Sequence, residues 1–128
     1  PPFPGHNTVN QPKGWDPVAR QIGAEAEAQG AQWIATGEYG MTGQLSWRLD
    51  LPVWDMTGPG RYLFRGDFPR ALCDAPALWV ERLKGPAPGP VPFREAGRPI
   101  EIARFSRGAE LARYRITPVR GALRPECR

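Results

Sequence analysis

The sequence has very little histidine, and this scarcity restricts the chemistry available to it. His6 is the only histidine in 128 residues. It lies in a proline-rich segment with no second histidine, cysteine or carboxylate at metal-ligand spacing. A serine or cysteine nucleophile needs a histidine base beside it. The sequence therefore argues against a triad-type hydrolase, and we predict neither a bound metal nor a cofactor.

Long apolar runs are also missing. The longest are interrupted by Arg, Asp or Gly within about ten positions, well short of the roughly 18 residues of a membrane span. Residues 1–5 contain neither a start Met nor the basic and apolar regions of a signal peptide, so we expect that an upstream segment was removed. With 41% hydrophobic residues and five Trp in 128 residues, the chain should fold as one domain.

Two patterns that would indicate catalysis are incomplete. Residues 37–43 are rich in glycine but lack the Lys-Ser/Thr end of a phosphate loop and match neither nucleotide-binding fingerprint. Paired carboxylates for glycosyl chemistry must face each other across a substrate. The aspartates of the middle region are instead spaced as caps and turn formers are, at Asp50, Asp55, Asp67 and Asp74. We predict no catalytic residue.

Lysine is rare relative to arginine, and the basic residues are unevenly distributed. The chain has two lysines and fifteen arginines. From Arg94 onward, nine arginines and four acids give a balance of +5, whereas the preceding eight basic and nine acidic residues give −1. Guanidinium groups suit phosphate and carboxylate recognition, but GC-rich codons would produce the same bias. The basic face should therefore lie in the C-terminal part, and its origin stays open.

Local patterns predict a linker followed by alternating helices and strands. Residues 1–15 are proline-rich without any period, which is typical of an extended linker. Asp16 and Pro17 suit an N-cap and a first helical position, which predicts a helix over 17–29. A stripe of Met and Leu residues predicts a second helix over 38–49.

Short apolar runs predict three central, buried, parallel strands, at about 32–36, 53–56 and 77–82. Two later extended runs, 99–105 and 110–119, flank a Gly-containing turn and predict an antiparallel hairpin. In its second run apolar residues alternate with Arg113, Arg115 and Thr117, so one face should be basic. The predicted fold class is α/β, a small three-layer sandwich with a mostly parallel sheet and a C-terminal antiparallel hairpin, formed by one domain over 16–128.

Candidate binding residues follow the first two predicted strands. In an open parallel sheet, ligands collect in the crevice at the carboxyl ends of the strands. Glu38 and Tyr39 come directly after the first strand. Arg61, Tyr62 and Arg65 stand in the loop after the second, where guanidinium and phenol groups could hold a phosphate or a sugar hydroxyl. A solvated loop is the alternative interpretation.

Several stretches carry a resemblance to a known family. They are Gly14-Trp15-Asp16, the run over 33–39, the run over 43–49 and the closing segment over 105–119. Together they are similar to the soluble tail of bacterial family 39 glycosyltransferases, the relatives of protein mannosyltransferases and of lipid A aminoarabinose transferase. The similarity covers about residues 14–120.

This resemblance implies a multi-span membrane enzyme that takes a sugar from a polyprenyl-phosphate carrier at the extracytoplasmic, periplasmic face of the inner membrane. The family's catalytic carboxylates lie near the start of the membrane region, so the tail would be inactive alone. Its expected partners are the upstream transmembrane region and either lipid-linked sugar or anionic lipid head groups. Arg113, Arg115 and Arg120 are the candidates for contact with head groups.

The two cysteines, Cys73 and Cys127, permit one disulfide, although two free thiols in a cytosolic protein would fit the composition equally well. The extracytoplasmic location implied by the resemblance favours the bond. We therefore expect their Cα atoms to lie within about 7 Å of each other.

An independent small basic protein that binds an anionic ligand or nucleic acid is the competing hypothesis. Trp33, Trp54 and Trp79 all fall inside apolar strand runs. We expect them to be core residues and not platforms on which bases stack. Nucleic acid is therefore not an expected partner.

Overall fold

The computed structural model describes residues 13–57, 66–84 and 89–128. Two α-helices and six strands occur in these residues. In chain order they are α1 (Trp15–Gln29), β1 (Trp33–Thr36), α2 (Tyr39–Ser46), β2 (Val53–Asp55), β3 (Ala77–Arg82), β4 (Phe93–Ala96), β5 (Ile100–Ser106) and β6 (Ala109–Ala122). Two short 3-10 turns lie at Arg70–Leu72 and Pro125–Cys127.

Helix α1 begins two residues before the predicted start, so the expected N-cap at Asp16 is wrong. The N-cap is Gly14, whose φ of 79° lies in the left-handed region. This earlier start buries Trp15, whose ring centroid lies 5.2 Å from that of Tyr114. Asp16 instead accepts a hydrogen bond of 2.7 Å from Arg48 Nε. Packing of the indole therefore decides where the helix starts.

The six strands form one mixed sheet in the order β2-β1-β3-β6-β4, with β5 also paired to β6. Strand β1 pairs in parallel with both β2 and β3, as the apolar runs predicted, although β2 lies at an edge. The 14-residue β6 is long enough to pair antiparallel with β3, β4 and β5. The α/β class is confirmed. A mostly parallel sheet is not, because β6 adds three antiparallel pairings to the two parallel ones.

Both helices pack on the same face of the sheet. The core on this helix face contains Val18 and Ile22 of α1, Leu45 of α2, and inward residues of β1, β2, β3, β5 and β6. Thr42 of α2 is also buried there and shares a hydrogen bond with Thr36 of β1. The helices thus form a single layer over the sheet.

The opposite face of the sheet carries a second core, covered by the segment over 66–76 and by the chain end, with no α-helix among the described residues. The three-layer sandwich is therefore not confirmed. Trp33, Trp54 and Trp79 belong to this core, as predicted. Thr117 was expected on an exposed face but is buried, because it lies opposite Trp79 in the β3–β6 pairing.

A disulfide holds the chain end against this second core. Cys73 and Cys127 are bonded, with their Cα atoms 5.4 Å apart, which confirms the prediction. Nearby, Arg124 donates from Nη1 to the Asp55 carbonyl oxygen at 3.0 Å and lies over the Phe68 ring at 4.7 Å. A hydrogen bond from Arg124 also lowers the pKa of Glu126. The last residues are thereby attached to the end of β2.

Candidate functional site

The candidate site lies where the parallel strands end, and it consists of two cavities. The inner cavity, of about 190 Å³, opens on the helix face and is lined by Trp15, Glu38, Gly40, Met41, Gln44, Arg82, Arg104 and Tyr114. The outer cavity, of about 460 Å³, is lined by Gly37, Glu38, Met56, Thr57, Trp79, Glu81, Arg82, Lys84, Gly89, Pro90 and Pro92. Glu38 and Arg82 line both cavities.

A buried guanidinium group forms one wall of the inner cavity. Arg104 is only 8% exposed. Its Nε donates to the Tyr114 hydroxyl oxygen at 3.0 Å and its Nη1 donates to the Lys13 carbonyl oxygen at 2.8 Å. The guanidinium carbon lies 5.0 Å from the centre of the Trp15 ring, a cation–π arrangement. These contacts fix the position of the charge.

Tyr114 stands at the junction between the core and the inner cavity. Its side chain is almost completely buried, and this burial raises the pKa of its phenol. The hydrogen bond and the positive charge of Arg104 act in the opposite direction, and burial has the larger effect. Tyr114 therefore stays protonated at neutral pH and can donate its hydroxyl hydrogen while it accepts from Arg104.

A chain of hydrogen bonds orients Gln44. Arg48 donates from Nη1 to Gln44 Oε1 at 2.7 Å and from Nε to Asp16 at 2.7 Å. The amide oxygen of Gln44 accepts from Arg48, and its NH₂ group carries the donors of this side chain. Gln44 is one of the residues that line the inner cavity.

Glu38 is held in place at the turn from β1 into α2. Its carboxylate forms an ion pair of 2.9 Å with Lys84. Its carbonyl oxygen accepts a hydrogen bond of 3.0 Å from the Thr42 hydroxyl. Tyr39, the next residue, is 54% exposed and lines neither cavity. Of this predicted pair, only Glu38 lies in the crevice.

Two buried carboxylates lie near the outer cavity, and each accepts at least one hydrogen bond from the protein. Glu81 accepts a hydrogen bond of 2.9 Å from the Trp79 indole, and both side chains are buried. A Cβ on Gly37 would lie 3.2 Å from this indole, so glycine permits the close approach. Asp55 Oδ1 accepts from the backbone and hydroxyl of Thr57, while its buried Oδ2 has no hydrogen-bond partner among the described residues.

The sequence identified only part of this site. Arg61, Tyr62 and Arg65 lie outside the described residues, so their predicted role stays a prediction. Sequence reasoning identified Glu38 of the inner cavity and missed seven other lining residues, namely Trp15, Gly40, Met41, Gln44, Arg82, Arg104 and Tyr114. The sequence did contain one indication of Arg104. It lies two residues after Ile102 in the same strand, so both side chains lie on the buried face of β5.

The three arginines predicted for a membrane surface lie on β6. Arg113 forms ion pairs with Glu110 at 2.7 Å and with Glu101 at 3.8 Å, and the hydrogen bond that it donates to Glu110 raises the pKa of Arg113. Arg115 pairs with Glu101 at 3.5 Å. Arg120 is exposed and lies opposite Glu95 of β4. Glutamates of β5 and of β6 itself thus offset the charges of Arg113 and Arg115.

In the part of the chain that the structure describes, no group of three His, Cys, Asp or Glu side chains is arranged to hold a metal ion. Neither described helix is long and apolar enough to span a membrane. Comparisons with family models, with curated proteins and with solved structures give no match for this chain.

Proposed function

We propose that this chain is a non-catalytic domain of a membrane glycosyltransferase that uses a polyprenyl-phosphate-linked sugar, and that it positions donor or acceptor at the periplasmic membrane surface. The main support for the proposal is that four segments distant in sequence line the same cavity. Each of the four segments that resemble the family 39 tail contributes one residue to the inner cavity: Trp15, Glu38, Gln44 and Tyr114. Segments far apart in sequence therefore share one concave site, as a binding role requires.

The state of the carboxylates supports a positioning role over catalysis. A glycosyl-transferring pair needs two carboxyl groups free to face a substrate. Near this edge, Glu38 is paired with Lys84, and Glu81 accepts from a buried indole. Both are engaged with the protein, which suits a binding wall better than an acid–base pair.

The disulfide supports the proposed location. Disulfides persist in oxidising compartments such as the bacterial periplasm and are rare in the cytosol. The bond between Cys73 and Cys127 closes a separation of 54 residues and attaches the chain end to the second core. Such a bond is expected of a domain that works on the periplasmic face.

Vesicle flotation tests the proposal directly. Phosphatidylcholine vesicles would carry either polyprenyl phosphate or phosphatidylglycerol at matched surface charge. We expect the chain to bind the polyprenyl phosphate vesicles more tightly, with binding that weakens as salt rises, because exposed charges are screened within about 8 Å at physiological ionic strength. Equal binding to both vesicles would contradict the proposal.

An activity assay tests the non-catalytic part. The chain would be incubated with a polyprenyl-phosphate sugar and a peptide or lipid acceptor, and we expect no turnover. Turnover that disappears in Glu38→Gln or Asp55→Asn would show that these carboxylates are catalytic and would overturn this part of the proposal.

A further inference from the structure

The polar groups around the inner cavity are mainly hydrogen-bond donors. Arg82, Arg104, Tyr114 and Gln44 line the cavity, and each side chain carries N–H or O–H donors. Among the described residues of the lining, Glu38 is the one carboxylate. A lining of this kind matches a ligand that carries several acceptor oxygens.

The charge balance at the inner cavity is positive. Arg104 and Arg82 both line this cavity. Arg104 is buried, with only 8% of its surface exposed, whereas Arg82 is exposed. The negative charge of Glu38 is offset by Lys84 at 2.9 Å. Arg82 forms no ion pair with a carboxylate among the described residues. The guanidinium groups therefore favour an anion over a cation or a neutral sugar.

The volume of the inner cavity and its apolar side chains restrict which anions can bind there. The volume of about 190 Å³ is below the roughly 300–1,000 Å³ of pockets that bind drug-sized ligands. It suits a small group, such as a tetrahedral oxyanion with the first atoms of its ester substituent. Trp15 and Met41 supply an apolar surface against which that substituent can pack.

We infer that the inner cavity binds the phosphate group of a small phosphate ester, with Arg82 contacting the oxyanion, Arg104 supplying a fixed positive charge beside it, and Trp15 contacting the ester substituent. This inference deepens the proposed function and rests on it for the biological ligand, since a polyprenyl-phosphate sugar contains such an ester. The contacts themselves depend only on the cavity. A free sugar phosphate would present the same chemistry.

The binding test follows individual side chains by NMR. Isotope-labelled protein would be titrated with methyl phosphate, glucose 1-phosphate, glucose or acetate at constant ionic strength. We expect saturable shifts of the Trp15 indole N–H and the Gln44 side-chain amide with the two phosphate esters only. Equal shifts with glucose or acetate would overturn the assignment to a phosphate ester.

Three variants test the roles of the charges. Arg82→Gln should weaken methyl phosphate binding by about tenfold, since a charged hydrogen bond contributes on the order of one such factor. Arg20→Gln removes the same charge from an exposed position on α1 and should leave binding unchanged. Glu38→Gln should strengthen binding, because it removes the one negative charge from the lining. Unchanged binding in Arg82→Gln, or weaker binding in Glu38→Gln, would overturn the inference.

Comparison with the vesicle experiment separates the inference from the proposed function. A preference for polyprenyl phosphate vesicles without methyl phosphate binding would overturn the cavity assignment and leave the proposed function standing. Methyl phosphate binding without a vesicle preference would support the cavity assignment and contradict the proposed function.

Discussion

At the residue scale, the pairing of Tyr114 with Arg104 links the core to the candidate site. The phenol oxygen accepts from the buried guanidinium at 3.0 Å, and the phenol ring packs against Trp15. Burial raises the pKa of Tyr114 above its ordinary value of about 10. One side chain therefore contributes both packing and a pH-dependent hydrogen bond.

The raised pKa of Tyr114 predicts a loss of stability in alkali. Because the folded-state pKa exceeds the unfolded value, this contribution is fully present below about pH 10 and is lost as pH rises through the folded value. Tyr114→Phe should lower the free energy of unfolding by about 1–3 kcal/mol at pH 7, since Arg104 loses an acceptor. It should also flatten the decline above pH 10. Urea unfolding from pH 7 to 11 measures both.

Tyr39→Phe provides the control for the alkaline prediction. Tyr39 is 54% exposed, so its substitution should cost less stability than Tyr114→Phe and should leave the decline above pH 10 in place, because Tyr114 is retained. A Tyr114→Phe variant that loses stability above pH 10 as steeply as the parent would contradict the assignment.

At the element scale, the contact between the start of α1 and β5 positions the inner cavity. An added Cβ on Gly14 would lie 2.3 Å from the Phe105 carbonyl oxygen and 2.8 Å from a carbon of Arg104. Gly14 also has a φ of 79°. The backbone approach therefore depends on glycine for two separate reasons, conformation and space.

Alanine substitutions at Gly30 and Gly14 distinguish the cost of the left-handed backbone conformation from the cost of the steric clash. Gly30, at the other end of α1, has a φ of 68° and nothing within 4 Å of an added Cβ. Gly30→Ala should therefore lose about 1–2 kcal/mol from backbone strain alone. Gly14→Ala should lose clearly more, because α1 and β5 must also move apart. Equal losses in the free energy of unfolding, measured with urea, would show that the close approach of α1 and β5 does not add to the cost of the substitution at Gly14.

At the scale of the whole molecule, the disulfide joins two parts of the chain that the sheet does not pair. Cys73 follows the 3-10 turn at Arg70–Leu72, and Cys127 lies in the last turn of the chain. The hydrogen bond from Arg124 to the Asp55 carbonyl joins the same chain end to β2. The second core is therefore closed by a covalent bond and a buried charged hydrogen bond.

Removal of the disulfide should destabilise the domain substantially. For a separation of 54 residues, the chain-entropy relation gives about 4 kcal/mol. The double variant Cys73→Ala/Cys127→Ala should show this loss in urea unfolding, and reductant should have a comparable effect on the parent chain. Reductant should not change the double variant. A loss below about 1 kcal/mol would mean that the remaining contacts hold the chain end without the bond.

The sequence by itself determined most of the secondary structure. The runs at 32–36, 53–56 and 77–82 predicted β1, β2 and β3 to within about one residue, since a short apolar run between turn residues leaves few alternatives. Strand β4 was missed because Phe93 is its only buried residue and no alternation marks it. Local patterns specify backbone conformation and the face on which each side chain lies.

Only the tertiary structure decided which faces meet. The inner cavity collects Trp15, Gln44, Arg82, Arg104 and Tyr114 from five different elements, and no local pattern encodes their proximity. Their positions depend on the pairing of β6 with both β3 and β5, which brings distant segments to one edge of the sheet. Sequence periodicity indicates which face of a segment is buried, whereas long-range strand pairing determines which segments lie next to it. A binding site forms where side chains of different segments meet, so only the tertiary structure reveals it.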